Sequence, residues 1–393
     1  MAGKLDTPPA QERHDLAEIS IALVAGLTLA FAALYFSIQI AGYPGGSRSL
    51  AGSRDFVSYW ATGRQLVLHG NPYDRDDISA LETAEGLKAG GVLIMRNPPW
   101  ALPLAYPLGF VGLRVAAVVW SLLLLACLLV SVRIVRQLYG DPPNRLHWIA
   151  LAFTPALLCF LMGQTALFSL LGLALFLRWH SSRPFLAGAG LWLCALKPHL
   201  FLPFVTALAV WIVVSRAWKL LAGAAASLAL TSAAASLIDP RVWIDYTHLL
   251  HSPAVADEFI PCLTRALRQW IDPAAAWLQY LPAALGCIWA AVYYWRRRAA
   301  WDWKTNGSLL MLVSLLTAPY CWIYDQCLVI PALLDGVYAT RWRSLLTVLA
   351  LAIFAIDVEM ICGVRVVSLL YLWTAPAWLV WYLIARSRRI DQT

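Results

Sequence analysis

Residues 115–132 read VAAVVWSLLLLACLLVSV and run directly into Arg133 and, one turn on, Arg136. An uncharged run of that length approaches the roughly 20 residues that a helix needs to cross a bilayer. Basic side chains at one end of such a run mark its cytoplasmic end. Working outward, the same pattern recurs along the chain. Apolar stretches begin near Ile19, Leu113, Leu146, Thr165, Pro184, Leu200, Ala217, Ala276, Gly307, Ile323, Ser344 and Val366. They predict an all-α polytopic membrane protein, one domain over 1–393, with about twelve transmembrane helices. Composition agrees. Hydrophobic residues are 61% of the 393 and charged residues 13%, about half the charged share of a soluble domain. That much apolar surface has to face lipid. The 20 Trp and 15 Tyr fit helix ends lying in two headgroup belts.

The charges set the orientation. With the amino terminus in the cytoplasm and the spans alternating, the inner loops receive Arg133, Arg136 and Arg145, then Arg178 and Arg183, then Arg216 and Lys219. They also receive Arg296, Arg297, Arg298 and Lys304, then Arg341 and Arg343, and finally Arg386, Arg388 and Arg389. Every short inner loop is then basic, and both termini are cytoplasmic. The net charge of +8 is accounted for by these topology signals and by headgroup contacts, so nucleic-acid binding is not expected. The start of the chain is polar and acidic (Asp6, Glu12, Asp15, Glu18), and no cleaved signal is expected.

Two segments, about 42–112 and 239–275, are too long and polar for simple turns, and both fall outside. They carry half of the 22 carboxylates together with Phe56, Tyr59, Trp60, Trp100, Trp243, Tyr246, Phe259 and Trp270. Charged and aromatic residues interleaved in this way predict short amphipathic helices on the outer membrane surface. The eight Cys contain no CxxC pair and the seven His no HExxH spacing, so no metal or other cofactor is expected. One outer disulfide, Cys262 with Cys321 or Cys362, is a minor possibility.

Several short constellations can carry chemistry. Asp55, Ser58 and Tyr59 share a helical face after the first span. Asp55 either acts as a general base on an incoming hydroxyl or caps the helix that follows it. In Arg96-Asn97-Pro98-Pro99-Trp100 the prolines fix an extended re-entry, while Arg96 has the fork that grips a phosphate. Gly163-Gln164 joins two apolar spans; the Gln164 amide faces a sugar or satisfies a turn. Lys197, followed by Pro198 and His199, is the only cation between Phe185 and Val214. It either snorkels to water or holds a lipid phosphate. Asp325 orients Lys197 or an Arg of the first loop, touches a sugar, or starts a helix. Arg265 and Arg268 share a face and serve either a diphosphate or, more simply, the lipid surface.

Taken in order, Asp55-Phe56 with Tyr59-Trp60, Gly70-Asn71-Pro72-Tyr73-Asp74, Asn97-Pro98-Pro99, Gly163-Gln164, Leu196-Lys197-Pro198-His199, and Ala318-Pro319-Tyr320 with Tyr324-Asp325 resemble glycosyltransferase family 87. That family is related to polyprenol-phosphate-mannose-dependent mannosyltransferases of the GT-C membrane fold. The resemblance implies that a hexose, mannose-like, moves with inversion from a polyprenyl-phosphate donor to a lipid or glycan hydroxyl outside the plasma (inner) membrane. It makes Asp55 the base. Lys197, Arg96 and Arg54 are the candidates for the donor phosphate, and Tyr59, Gln164, His199, Tyr324 and Asp325 those for substrate. Many family members carry His near positions 319–325, where this chain has Tyr320, Trp322, Tyr324 and Asp325. Donor sugar and acceptor therefore do not follow from the resemblance. The competing reading, a transporter or lipid flippase, predicts ionisable residues at the bilayer midplane and matched broken helices. Here the carboxylates gather in the outer loops instead.

Overall fold

The computed structural model describes residues 54–85, 93–252, 260–340 and 342–387, and before them only positions 23, 26, 27 and 30. The first expected span, near Ile19, lies almost entirely outside these residues. So do both chain ends, parts of both long outer loops and the side chain of Arg54. The described residues are helical, with no strand among them.

Leu113–Leu138, the helix built on the opening stretch, has 26 residues and a length of about 39 Å. It is one of three described helices long and apolar enough to cross a membrane; the others are Trp218–Ile238 and Arg343–Ile361. A fourth candidate is a broken one. Pro184–Leu196 and Pro198–Val214 pass together but are bent by 119° at the break. About twelve spans are expected from the sequence, and the three or four that pass by length and composition among the described residues do not confirm that count. Ala166–Trp179 shows why. At 14 residues it is about 21 Å long, short of the roughly 30 Å hydrocarbon layer. Leu167, Leu170, Leu173, Phe176 and Leu177 point in several directions around this helix, yet all are buried. A short apolar helix enclosed by protein has the same composition as a span enclosed by lipid.

Proline and glycine set the breaks and close approaches. Pro198 disfavours helical dihedrals at the residue before it, and Lys197 sits at φ −135°, ψ 68° between two short 3-10 turns, Cys194–Leu196 and Pro198–Phe201. Pro184–Gly190 lies against Trp218–Ile238. A Cβ at Gly188 would run into the backbone of Leu220, and one at Gly223 into that of Phe185. Small residues that let backbones touch are a common interface between membrane helices.

The first long loop is organised around Arg54–Val67, with Trp60 Nε1 donating to the Val111 carbonyl at 2.9 Å and Arg64 to that of Gly109 at 3.1 Å. In the second, Leu263–Ile271 docks through Thr264 Oγ1 on the carbonyls of Ala318 and Pro319, at 2.7 and 2.9 Å. The outer disulfide is not formed: all eight cysteines are free, and Cys262 Sγ lies beside Thr264 Oγ1 at 3.3 Å.

Candidate active site

Asp55 lies in the first turn of the Arg54–Val67 helix. A carboxylate there complements the helix dipole. Ser58 Oγ turns back to the Asp55 carbonyl at 2.7 Å, so it braces the turn rather than extending the acidic face. The Asp55 side chain reaches out of the helix, where its Oδ2 accepts a hydrogen bond from Gln164 Nε2 at 2.8 Å.

Gln164 is held by the turn it occupies. Gly163 has φ 71°, and a Cβ there would stand 2.6 Å from that of Phe56. Only glycine meets both conditions without strain. Beneath the turn, Trp120 of the Leu113–Leu138 helix donates from Nε1 to the Gly163 carbonyl at 2.7 Å. The same indole packs on Tyr59 and Phe168, with ring centroids 5.4 and 5.1 Å apart. Tyr59 donates its hydroxyl to Gln164 Oε1 at 3.3 Å. Burial pushes that phenol far above its usual range, against the pull of Lys197, so Tyr59 is a neutral donor near pH 7.

Gln164 Oε1 also accepts from Lys197 Nζ at 2.8 Å, and the same ammonium meets Asp325 Oδ1 at 2.6 Å. Asp325 is 1% exposed and Lys197 9%. The other Asp325 oxygen accepts the Trp322 backbone N–H at 3.1 Å, at the start of the Ile323–Val329 3-10 helix. Lys197 further lies 5.1 Å from the centroid of the buried Tyr324 ring. One continuous chain of side chains therefore runs from Asp55 through Gln164 and Lys197 to Asp325. It joins four segments that span 270 residues of sequence, positions 55 to 325.

The Arg96–Trp100 segment holds the Lys197 turn from behind. Asn97 Nδ2 donates to the Leu196 carbonyl at 2.8 Å and Trp100 Nε1 to that of Ala195 at 2.9 Å. Arg96 itself, beside Asn97, is exposed. His199 stacks on Tyr320, with centroids 3.7 Å apart, and its buried Nε2 has no hydrogen-bond partner.

The structure thus brings Asp55, Tyr59, Gln164, Lys197, Tyr324 and Asp325 together, and puts His199 two residues from Lys197. Sequence reasoning passes over Trp120, which looks like one more apolar residue of a span. It also treats Asn97 as part of a proline motif. The available signal for Trp120 is that a buried indole N–H needs an acceptor. Among the described residues no three His, Cys, Asp or Glu side chains are grouped as a metal cage would need.

The sequence profile described as Glycosyltransferase family 87 matches residues 96–319, more than half of the chain. Neither the curated proteins nor the solved structures give a match.

Proposed function

The chain belongs to glycosyltransferase family 87, and from that premise we propose that it moves a hexose from a polyprenyl-phosphate donor to a hydroxyl of a lipid or glycan acceptor. In this reading Asp55 takes the proton of the acceptor hydroxyl. The oxygen then attacks the anomeric carbon, the bond from that carbon to the phosphate oxygen breaks, and the phosphate leaves with its electron pair. The configuration inverts. A phosphate is already a stabilised anion, so positioning and electrostatics can carry the step.

The observation that carries the proposal is the Asp55–Gln164–Lys197–Asp325 chain. It sets a carboxylate and an ammonium on either side of one neutral amide. An ammonium has three donors. Two of those on Lys197 go to Gln164 and Asp325, which leaves the third for a phosphate oxygen. Gln164 and Tyr59 then act chiefly by orienting Asp55, and Tyr324 and His199 offer ring surface to the sugar. Arg54 and Arg96 are auxiliary cations for the phosphate.

We place this site outside the plasma membrane because Gln164, Lys197 and Asp325 each precede an apolar helix with basic residues at its far end. Those ends carry Arg178, Arg216 and Arg343. A transporter would call for matched broken helices in two halves; one bent pair passes among the described residues.

The test is transfer of labelled sugar from a polyprenyl-phosphate donor in reconstituted membranes. Asp55→Asn and Asp55→Ala should each lower kcat by about 10²–10⁴-fold, the usual share of a general base. Wild-type transfer by Asp55→Asn would remove the assigned base.

A further inference from the structure

The guanidinium groups of Arg265 and Arg268 stand side by side on the Leu263–Ile271 helix, and among the described residues neither pairs with a carboxylate. Instead, Arg265 NH1 and Arg268 NH1 converge on a single neutral oxygen, Gln279 Oε1, at 3.1 and 3.2 Å. Arg268 Nε donates to the Pro273 carbonyl at 2.8 Å. Arg265 is only 7% exposed, and its buried Nε has no hydrogen-bond partner.

A buried guanidinium without a counter-ion is costly, and a second one beside it adds repulsion. An amide oxygen offers a partial charge and cannot cancel either. A phosphate can: its oxygens accept the parallel N–H donors of each fork.

The helix that carries the pair is turned inside out for a soluble protein. Arg265 and Thr264 are buried, while Leu263, Trp270 and Ile271 are 43%, 64% and 62% exposed. Trp277 and Tyr280, on the next helix, are 62% and 57% exposed. Such an outward face suits acyl or prenyl chains, with the charged head turned inward.

Gln279 ties the pair to the candidate active site. Its Nε2 donates to the Pro319 carbonyl at 2.8 Å. The next residue, Tyr320, stacks on His199, two positions from Lys197. We propose that Arg265 and Arg268, with Gln279 between them, form an anion site for the phosphate of a membrane-held lipid, at the same end of the molecule as Asp55.

The transferase reading bears only on which lipid this is, and binding alone tests the site. Full-length protein in nanodiscs of zwitterionic lipid is titrated with a polyprenyl monophosphate, with phosphatidylglycerol and with the uncharged polyprenol. Wild type should bind at least one of the two phosphate lipids about tenfold more tightly than the polyprenol. Gln279→Glu leaves both arginines in place and gives them the missing carboxylate. It should erase that preference, as should Arg265→Gln with Arg268→Gln. If the double variant fails to fold, Gln279→Glu decides alone. Loss for polyprenyl phosphate assigns the site to a prenyl donor, and loss for phosphatidylglycerol to a phospholipid headgroup. Unchanged binding of both lipids by Gln279→Glu overturns the site. Sugar transfer by Asp55→Asn, measured separately, tests the transferase reading, so a failure of that reading leaves this binding measurement standing.

Discussion

Ten residues beyond Asp325, about 15–20 Å along its helical segment, a second buried carboxylate is built quite differently. Asp335 accepts the Tyr382 hydroxyl at 2.7 Å and Arg386 NH1 at 3.2 Å. Tyr382 is set by the adjacent Thr305 carbonyl at 3.3 Å. One acid meets one cation and the hydroxyls of Tyr382 and Tyr139, and the charges close. Around Lys197 the contacts branch instead. There one ammonium meets Asp325 directly and is joined to Asp55 through Gln164, and the buried His199 Nε2 has no hydrogen-bond partner. The first cluster has what a latch between helices requires. The second keeps unused hydrogen-bonding capacity where a substrate would come. Buried polar groups that are left incompletely matched cost stability, and they are kept where function needs them.

The sharpest way to break the comparison is at Lys197. Lys197→Ala leaves Asp325 buried without its counter-ion and should cost about 3–5 kcal/mol of stability as well as transfer. The double variant Lys197→Met with Asp325→Leu removes both charges, and a buried ion pair replaced by apolar groups is often neutral. Thermal unfolding should therefore recover while sugar transfer stays lost. If transfer recovered too, Lys197 would be a packing residue like Arg386.

Much of this is legible in the sequence. Asp55, Lys197 and Asp325 stand out because ionisable groups beside apolar runs are costly, and Gly163 and Pro198 announce the turns that present two of the four residues. Their mutual distances were not legible, since hydrophobicity ties none of the four segments to another. The sequence leaves Gln164 evenly balanced between sugar contact and turn, and in the structure its amide bridges the carboxylate and the ammonium. Trp120 was invisible, because an indole inside an apolar run looks the same whether it faces lipid or supports the Gly163 carbonyl. The span count suffered from the same ambiguity. Ala166–Trp179 and the two halves of 184–214 are as apolar as Leu113–Leu138 but too short or too bent to be read as it is.

Gln164 offers a middle-sized test. Gln164→Leu keeps much of the volume but takes the amide from both Asp55 and Lys197. A misplaced base costs up to about 10²-fold in rate, so kcat should fall by roughly one to two orders of magnitude, with little change in KM. Stability should fall by about 1–3 kcal/mol, the cost of buried groups left without a partner. An equal fall in KM-dependent binding and no change in kcat would make Gln164 a substrate contact rather than a positioning residue. Tyr59→Phe, which removes only the weaker 3.3 Å bond to the same oxygen, should act in the same direction and less.

The smallest effect on transfer belongs to the balanced cluster. Tyr382→Phe deletes one hydroxyl and leaves Asp335 with Arg386, so the acid keeps its counter-ion. The loss should be close to that of a single hydrogen bond to a charged group, about 1.5–3 kcal/mol, seen as a lower unfolding temperature in detergent. Transfer per folded molecule should not change, because nothing in that cluster touches the Asp55–Asp325 chain. This outcome sets the scale for the other variants. A stability loss of that size with full activity identifies a latch, and the same loss with activity abolished identifies a site. If Tyr382→Phe lowered kcat as well, the two clusters would be coupled through the short segment from Asp325 to Asp335. The contrast between the two clusters would then no longer separate structure from catalysis.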